Sequence, residues 1–461
     1  MTGFSSAALE AALARGAATG ASGDLCVAFS GGLDSTVLLA ALAELRSRGW
    51  PHAVRALHID HQLQPDSGRW SARCAETAAQ LDVPFASERV VVSSASGQGV
   101  EAAARAVRYA ALYGSLAVGE TLLTAHHADD QLETVLLALM RGAGVRGLSG
   151  MPRSAPAGAG WHQRPLLDYP RADLERWARE RSLSWIEDPT NREPRFRRSY
   201  LRHEVLPALR ATWPGAAAVA SRSAAHLGEA AALLDDLARL DLEGSALERC
   251  LQLGKLAAMT PARRRNLLRY WLRSLDLPVP STAKLGVLEH DMLVARPDRQ
   301  LCVDWEGAEV RLHRGLLYAG PPLAPLPVAD ESSWNWREPL VLPLGWGELR
   351  AVPATGAGIA VSRLPERLQW RFRGEVEGGA GGDSHDVARH GLKKLLQEAR
   401  VLPWWRGRLP LLSADSELLA VGDLWIAREF AATGSTPGVR VEWRHRPPII
   451  AVGSVRPSSG D

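Results

Sequence analysis

The sequence predicts an N-terminal α/β domain built on a parallel sheet, followed by a helical middle domain and a small α+β C-terminal domain. In residues 25–140, short apolar runs alternate with segments in which apolar residues recur at helical spacing. Strands that alternate with helices in this way form a parallel sheet covered on both faces. A Trp-Pro-Gly turn at 213–215 and a proline-rich stretch at 321–327 interrupt the pattern, so we predict domains at residues 1–215, 216–330 and 335–445.

Each predicted strand of the first domain is followed by a predicted helix. The strands are expected at Leu25–Phe29, Val54–Ile59, Arg89–Val92 and Leu122–Ala125. The helices are expected at Val37–Leu45, Trp70–Leu81, Glu101–Ala117 and Asp129–Met140, with further helices at Asp168–Arg181 and Gly391–Ala399. Ligands of such sheets bind at the carboxyl ends of the strands, so functional residues are expected where strands end.

The composition favours a multidomain protein of the cytoplasm. The chain has 461 residues and a hydrophobic fraction of 46%, enough for two or three domains with their own cores. No uncharged apolar run reaches about eighteen residues, and no basic segment followed by an apolar one opens the chain, so neither a membrane span nor a secretory signal is expected. The cysteines form no CxxC motif, which argues against a zinc ribbon, an iron–sulfur cluster and a disulfide framework. They are Cys26, Cys74, Cys250 and Cys302.

The overall charge says little about partners. The net charge is only +3, and lysine occurs only at positions 255, 284, 393 and 394, so nearly all basic residues are arginine. An arginine-rich composition can simply reflect a GC-rich genome. Local clusters of basic residues therefore carry the argument for nucleic-acid binding.

A glycine-containing loop separates the first predicted strand from the first predicted helix. Its glycines let the backbone turn tightly, and the exposed N–H groups with the positive end of the helix form an anion cradle. A plain strand–helix turn is the alternative, but an acidic residue beside a phosphate cradle makes sense next to Mg²⁺. The predicted nucleotide-binding residues of the loop are Ser30, Gly31, Gly32, Leu33, Asp34 and Ser35.

This loop resembles the pyrophosphate-binding loop (PP-loop) of the N-type ATP pyrophosphatases. No GKS or GKT follows it, so it is not a Walker loop. The resemblance implies a Rossmann-like sheet, ATP and Mg²⁺ as cofactors, and cleavage of ATP to AMP and pyrophosphate by adenylation of a substrate oxygen. GMP synthetase, asparagine synthetase, tRNA thiolases and lysidine synthetases all share the loop, so further motifs are needed to choose among them.

The second predicted strand ends in the segment His58–Leu63. A pair of histidines at a strand end can be purely structural. The segment nevertheless resembles the turn of the lysidine synthetases, although Gln62 stands where that family often has glycine. The resemblance implies that His58 and Asp60 lie at the nucleotide.

The predicted third helix carries Glu101, Arg105 and Arg108, which fall on one helical face. Taken alone, this is an ordinary salt-bridged helix surface. The segment Glu101–Tyr109 matches the E-x-x-x-R-x-x-R-Y helix of the lysidine synthetases, in which arginine faces the ATP site. The resemblance therefore implies that Arg105 and Arg108 neutralise phosphate charge.

The most specific segment is Ala125–Thr134, with the sequence AHHADDQLET. His126, Asp130 and Glu133 share one helical face at the end of the fourth predicted strand. Helix capping explains one of the adjacent acids, Asp129 and Asp130, but not the whole cluster. The spacing is not the HExxH of zinc hydrolases. Together with the following RGAGVRGL, the segment closely resembles the lysidine synthetases.

Two basic regions resemble the same family. After an RPLL segment at 164–167 and a D-x-T-N turn at 188–191, an arginine-rich strip follows, and it is expected to meet tRNA phosphates. Its members are Arg195, Arg197, Arg198 and Arg202, with Ser199 where the family usually has asparagine.

In the C-terminal region, Trp370–Glu375 resembles the family's R-F-R-x-G-E strand, and residues 392–398 match its L-K-K-L-x-Q-E helix. Lys393, Lys394 and Arg406 would form a second tRNA contact, unless this is only a solvated helix face.

The resemblance implies a ligase that joins L-lysine to the wobble cytidine of the CAU anticodon of tRNA(Ile). The cytidine 2-oxygen would attack the α-phosphate of ATP, and the lysine amine would then displace AMP. Asp130 and Glu133 are assigned to metal or lysine contacts, and His126 to the vicinity of the α-phosphate. Asp34 and Asp130 are the predicted metal ligands.

Other functions remain open at this point. A PP-loop tRNA thiolase or another ATP-adenylating RNA-modifying enzyme is the main alternative, although a thiolase would need reactive cysteines. An amidotransferase would need a glutaminase domain, and a non-catalytic tRNA-binding protein would not need intact motifs. The oligomeric state is also left open, a homodimer included.

Overall fold

The computed structural model describes residues 3–17, 23–60, 67–91, 100–187, 197–294, 301–326, 332–376, 385–415 and 417–451. The chain divides into two compact units, Met1–Leu234 and Asp235–Asp461. The prediction of three domains stays a prediction. None of the helices in the described ranges is long and apolar enough to cross a membrane.

The helices of the first unit are α1 (Ser6–Gly16), α2 (Leu33–Ser47), α3 (Ser67–Gln80), α4 (Val100–Gly114), α5 (Ala128–Met140), α6 (Val145–Leu148), α7 (Arg171–Glu180), α8 (Arg197–Tyr200) and α9 (Leu206–Thr212), and α10 (Ala216–Ser245) contains the boundary between the units. The strands of the first unit are β1 (Leu25–Ala28), β2 (Val54–Asp60), β3 (Phe85–Arg89), β4 (Thr121–Leu123), β5 (Ser154–Ala157) and β6 (Gly160–Gln163).

The first unit contains the predicted parallel sheet. Its strand order is β3-β2-β1-β4-β6-β5, and every neighbouring pair is parallel except the antiparallel β5–β6 hairpin at one edge. The α/β fold predicted from the alternating pattern is therefore confirmed. Because β1, β2 and β4 are neighbours that run in the same direction, their carboxyl ends meet at one edge of the sheet.

One predicted strand is wrong. The third strand is Phe85–Arg89 rather than Arg89–Val92. It lies at the edge of the sheet, where it pairs only with β2 and most of its side chains are exposed. An edge strand need not be apolar, so the valines that follow it gave a misleading signal. The β5–β6 hairpin was not predicted at all.

Helix α2 anchors the phosphate loop to the core. Val37, Leu38, Leu39, Ala41 and Leu42 are completely buried. The helix packs against α1, α7, β1 and β2, and a helix that is apolar on nearly all sides is typically central to its domain. The loop before α2 is therefore held by a rigid element.

The second unit has helices α11 (Leu253–Ala257), α12 (Pro261–Ser274), α13 (Thr282–Val294) and α14 (His385–Glu398). Its strands are β7 (Ala246–Leu247), β8 (Cys250–Gln252), β9 (Leu301–Trp305), β10 (Ala308–His313), β11 (Leu316–Gly320), β12 (Ser332–Trp334), β13 (Leu340–Val341), β14 (Glu348–Thr355), β15 (Ile359–Ala360), β16 (Leu368–Phe372), β17 (Pro410–Ala414), β18 (Glu417–Val421), β19 (Trp425–Ile426) and β20 (Pro437–Arg444).

Two hydrophobic clusters organise the second unit. In the predicted helical middle region, helices α12 and α13 pack with a sheet of order β7-β8-β11-β10-β9, around the buried Trp271. The C-terminal part has sheets of order β12-β16-β17-β18-β19 and β13-β14-β20-β15, with Trp346 and Phe372 in their shared core. The helical middle and the α+β C-terminal region agree with the prediction. The sheet of the middle region was not predicted, because some of its strands are only two or three residues long.

Candidate active site

The loop between β1 and α2 turns at Gly31. This residue has φ = +78°, and a Cβ atom there would lie 2.7 Å from Cys74 Sγ and 2.8 Å from Ile186 Cδ1. Only glycine combines the left-handed backbone with this close approach. The backbone N–H of Ile186 also donates to the Gly31 carbonyl at 2.9 Å, so the turn is fixed from both sides.

The N-terminus of α2 is open to an anion. Gly32 is the N-cap residue, and no side chain caps the first turn. The Ser30 and Ser35 hydroxyls lie 3.0 Å apart, and Ser35 Oγ donates to the Gly32 carbonyl at 3.1 Å. Uncapped N–H groups at the start of a fifteen-residue helix, with two hydroxyls beside them, are a suitable cradle for phosphate.

Asp34 and Asp130 lie close together on either side of His127. His127 Nε2 is 3.7 Å from Asp34 Oδ2 and 3.4 Å from Asp130 Oδ2. Burial raises the pKa of Asp34, while His127 and Arg171 act in the opposite direction. Asp34 Oδ1 is buried, lies 3.7 Å from Arg171 Nε and has no hydrogen-bond partner among the residues that the structure describes. A carboxylate oxygen in this state, beside a second carboxylate, fits a cation.

Two carboxylates are donors of the kind that Mg²⁺ prefers. No cluster of three or more His, Cys, Asp or Glu side chains able to hold a metal occurs among the residues that the structure describes. Mg²⁺ is commonly held by one or two carboxylates together with substrate phosphates and water. Asp34 and Asp130 meet that requirement.

His127 is a site residue to which the sequence interpretation gave no role. It is the N-cap of α5, and its backbone N–H donates to Asp130 Oδ2 at 3.1 Å. Burial would raise the pKa of Asp130, but His127, Arg202 and this backbone hydrogen bond outweigh burial and lower it, which favours the ionised carboxylate. In the sequence, the pair His126–His127 was the pattern that could have indicated a site residue. Only the fold shows that His127 lies beside Asp34 and Asp130.

Glu133 is held by an arginine from a distant segment. It is completely buried, and Arg202 donates to its two oxygens from Nε at 2.8 Å and Nη2 at 3.1 Å. Arg202 Nη2 also lies 3.1 Å from Asp130 Oδ1. Burial raises the pKa of Glu133, and Arg202 opposes that shift. The charges of Glu133 and Arg202 thus neutralise each other. The assignment of Glu133 to lysine or metal contacts and that of Arg202 to tRNA stay predictions.

Arg105 and Arg108 surround Tyr109. Their guanidinium carbons lie 5.0 Å and 5.5 Å from the centre of its ring. Burial lowers the pKa of Arg108, and the nearby Arg105 and Arg198 lower it further. Arg108 lines the same cleft as the phosphate loop, where its guanidinium can meet an anion.

One cleft unites most of the predicted catalytic residues. Its lining includes Ser30, Gly32, Asp34, Ser35, Arg108, His126 and Asp130. Strand β2 contributes Ile59 to the lining of the cleft, and not the neighbouring His58 and Asp60. Side chains alternate between the faces of a strand, which accounts for the difference.

His58 and Asp60 are buried at the end of β2. His58 Nδ1 is 2.9 Å from the Phe29 carbonyl, and Asp60 Oδ2 is 3.9 Å from Arg89 Nε. These contacts link the ends of β1, β2 and β3. The assignment of the two residues to the nucleotide stays a prediction.

Two described members of the arginine-rich strip, Arg198 and Arg202, contact helix α5. Arg195 lies outside the described residues. Arg197 is exposed, and Arg198 Nη2 donates to Thr134 Oγ1 at 3.2 Å. The π-helix Leu201–Val205 follows, an uncommon element that is frequent at functional sites. Arg197 is therefore the described member of the strip that is most available to a partner.

In the second unit, Lys393 and Lys394 are exposed on α14. Arg406 is partly buried, and burial together with the nearby Arg314 and Arg373 lowers its pKa. Lys394 Nζ lies 3.9 Å from Glu398 Oε1, whereas none of the three arginines has a carboxylate partner within the described ranges. Arginines left close together without counter-charges are a feature expected of a phosphate-binding surface.

Comparisons with known proteins indicate the same family along most of the chain. Three family profiles match: the PP-loop domain at residues 7–209, the TilS substrate binding domain at 251–318 and the TilS substrate C-terminal domain at 368–443. The tRNA(Ile)-lysidine synthase of Coxiella burnetii is 42% identical, covering 91% of this chain and 93% of its own length. That of Alkalilimnicola ehrlichii is 42% identical, with coverages of 92% and 94%.

Among solved structures, the U34-tRNA thiolase NcsA from Methanococcus maripaludis, with its [4Fe-4S] cluster, matches with a TM-score of 0.38 and 15% identity. The match covers 48% of this chain and 78% of that one. This likeness is too low to support an argument.

Proposed function

This chain belongs to the tRNA(Ile)-lysidine synthase family, and on that premise we propose that it joins free L-lysine to the wobble cytidine of the CAU anticodon of tRNA(Ile), using ATP. The observation that carries the proposal is the cleft in which the phosphate loop, Arg108, His126 and Asp130 meet. This arrangement can bind a nucleoside triphosphate and a cation at the carboxyl edge of a parallel sheet.

The first step would be adenylation of the cytidine. Its 2-oxygen attacks the α-phosphorus of ATP, and the bond to pyrophosphate breaks. The N–H groups at the start of α2 bind the phosphates, and Arg105 and Arg108 balance the charge that develops on them. Mg²⁺, held by Asp34 and Asp130, would neutralise part of the triphosphate charge.

The second step would be attack by lysine. The ε-amine forms a bond to carbon 2 of the cytosine ring, and the C2–O2 bond breaks, which releases AMP. The amine must first lose a proton, and a carboxylate can accept it. Asp130 is ionised in this cleft, because its neighbours lower its pKa. It is therefore suited to hold a cationic ammonium group or a metal ion.

The buried cysteines argue against a thiolase. Cys74 is the cysteine beside the phosphate loop, and burial raises its pKa to about 12. A thiol must ionise to act as a nucleophile, so Cys74 is unsuited to sulfur transfer. Cys26 and Cys250 are also buried, with their pKa values raised to about 12.

The direct test is mass spectrometry of tRNA(Ile) incubated with ATP and isotope-labelled lysine. We expect one lysine per tRNA, with one AMP and one pyrophosphate released for each. A transcript with uridine at the wobble position is the matched control and should gain no lysine. Transfer of sulfur, or release of AMP without lysine on the tRNA, would refute the proposal.

We further propose that Lys393, Lys394 and Arg406 contact tRNA phosphates. Changing both lysines to glutamine should weaken tRNA binding. It should also lower the slope of log K against log salt by about one to two units, because slightly less than one unit is lost with each phosphate contact. ATP binding should not change, since phosphate contacts position the RNA and take no part in the chemistry. Filter binding at several salt concentrations measures both the affinity and the slope.

The control for this experiment is the double change Arg176→Gln and Arg179→Gln, at two exposed arginines of α7. An equal loss of slope in both variants would mean a general effect of net charge. An unchanged slope in the Lys393/Lys394 variant would make that surface a solvated helix face. The contacts to tRNA phosphates would then be sought at the arginine-rich strip that contains Arg197.

A further inference from the structure

A chain of hydrogen bonds leads from Arg164 to the cleft. Arg164 Nη2 lies 3.1 Å from His162 Nδ1, and His162 Nε2 lies 2.8 Å from Thr124 Oγ1. The same hydroxyl lies 2.8 Å from His126 Nδ1. His162 and Thr124 are buried, whereas His126 lines the cleft with the phosphate loop. The chain therefore joins a partly buried cation to a group at the candidate nucleotide site.

Arg164 determines which atom donates in the hydrogen bonds that follow it. A guanidinium group can only donate, so His162 Nδ1 must accept and its proton must be on Nε2. Tyr113 Oη, which lies 3.1 Å from the same Nδ1, can also donate to it. Burial and the adjacent Arg164 lower the pKa of His162 to about 3, so its ring is neutral.

The donor and acceptor roles at His162 in turn determine those at Thr124 and His126. Thr124 Oγ1 accepts from His162 Nε2–H, which leaves its own proton to donate. Its remaining partner is His126 Nδ1, and acceptance at Nδ1 is the arrangement that pairs the hydroxyl proton as well. Burial, together with nearby arginines, lowers the pKa of His126 to about 3, so this ring is also neutral. A neutral imidazole that accepts at Nδ1 carries its proton on Nε2.

We propose that Arg164, His162 and Thr124 are positioning residues that hold His126 as the neutral Nε2–H tautomer, so that it donates a hydrogen bond to a phosphate oxygen of ATP. His126 Nε2 has no partner among the residues that the structure describes, while the Nδ1 edge of the ring is occupied. The inference rests on the proposed function only for the identity of the ligand. The tautomer is a property of the protein itself.

The first experiment reads the tautomer in the full-length protein. Long-range ¹H–¹⁵N spectra of the ¹⁵N-histidine-labelled chain at neutral pH distinguish a protonated from an unprotonated ring nitrogen. Spectra of His126→Gln and His162→Gln assign the two rings. We expect both rings to carry the proton on Nε2, and a proton on Nδ1 of either ring would overturn the proposal. No turnover is needed, so this result is independent of whether lysine is ligated.

The second experiment removes the link between the rings. Thr124→Val keeps the shape of the side chain but removes the hydroxyl, and Thr124→Ser keeps the hydroxyl. We expect Thr124→Val to lower kcat for pyrophosphate release by about 10- to 100-fold, with a much smaller change in KM for ATP, because the donor acts on charge that develops in the transition state. Thr124→Ser should restore most of kcat and the wild-type tautomer of His126.

The outcomes separate positioning from mere packing. If Thr124→Val lowers thermal stability but leaves both kcat and the His126 tautomer unchanged, the relay is structural and the proposal fails. If the tautomers are as expected and pyrophosphate is released without lysine transfer, the relay stands and the proposed lysine ligation fails.

Discussion

Replacing Asp34 with alanine is expected to abolish lysine incorporation, lowering kcat by more than about a hundredfold, the scale of losing one charge-stabilising group in an active site. Asp34 lies in the first turn of α2, directly after the phosphate loop, and no described residue forms a hydrogen bond with its buried Oδ1. Without this carboxylate, the site loses one of its two candidate Mg²⁺ ligands. Binding of tRNA should stay largely intact, because the loop faces the nucleotide.

The measurement is incorporation of labelled lysine, with tRNA affinity determined on the same preparation. Asp34→Asn separates charge from shape, since it keeps the size of the side chain, and it should be nearly as inactive as the alanine variant. Asp236→Ala is the control, because Asp236 pairs with Arg239 on an exposed helix surface and should be neutral. Full activity of Asp34→Ala would show that the loop assignment is wrong.

Glu133→Gln is expected to lower turnover by more than about tenfold, since a hydrogen bond to a charged group is worth roughly 1.5–3 kcal/mol. The change keeps the shape of the side chain but removes the charge that holds Arg202 in its two-bond pairing. Arg202 also contacts Asp130, so its displacement would alter the charge balance at the candidate metal ligand. Steady-state kinetics with tRNA and lysine measure the loss.

Two further variants show whether the pairing is responsible. Glu175→Gln removes the charge from an exposed pair with Arg179 and should have little effect. In a double-mutant cycle, Glu133→Gln and Arg202→Met should be strongly non-additive, because either change breaks the same interaction. An unchanged rate in Glu133→Gln would leave Glu133 with a purely structural role.

Local patterns in the sequence were sufficient for most of the first unit. Alternating strand and helix signals predicted the parallel sheet, and helical spacing placed His126 and Asp130 on one face at the end of a strand. Both do line the cleft. The same reasoning failed for the strand at Phe85–Arg89, where exposure at the sheet edge removes the apolar signal. It also failed for the β5–β6 hairpin, whose short strands give little periodicity.

The sequence by itself determined the class of fold, the phosphate loop and the family, because these depend on motifs that are contiguous along the chain. Only the tertiary structure decided the partners of the site residues. Arg202 reaches Glu133 across 69 residues, and His162 reaches Thr124 across 38. No local periodicity encodes such distances, because the packing of separate elements brings these side chains together. The fold therefore decides that Glu133 is neutralised by Arg202 and that His126 is linked to Arg164.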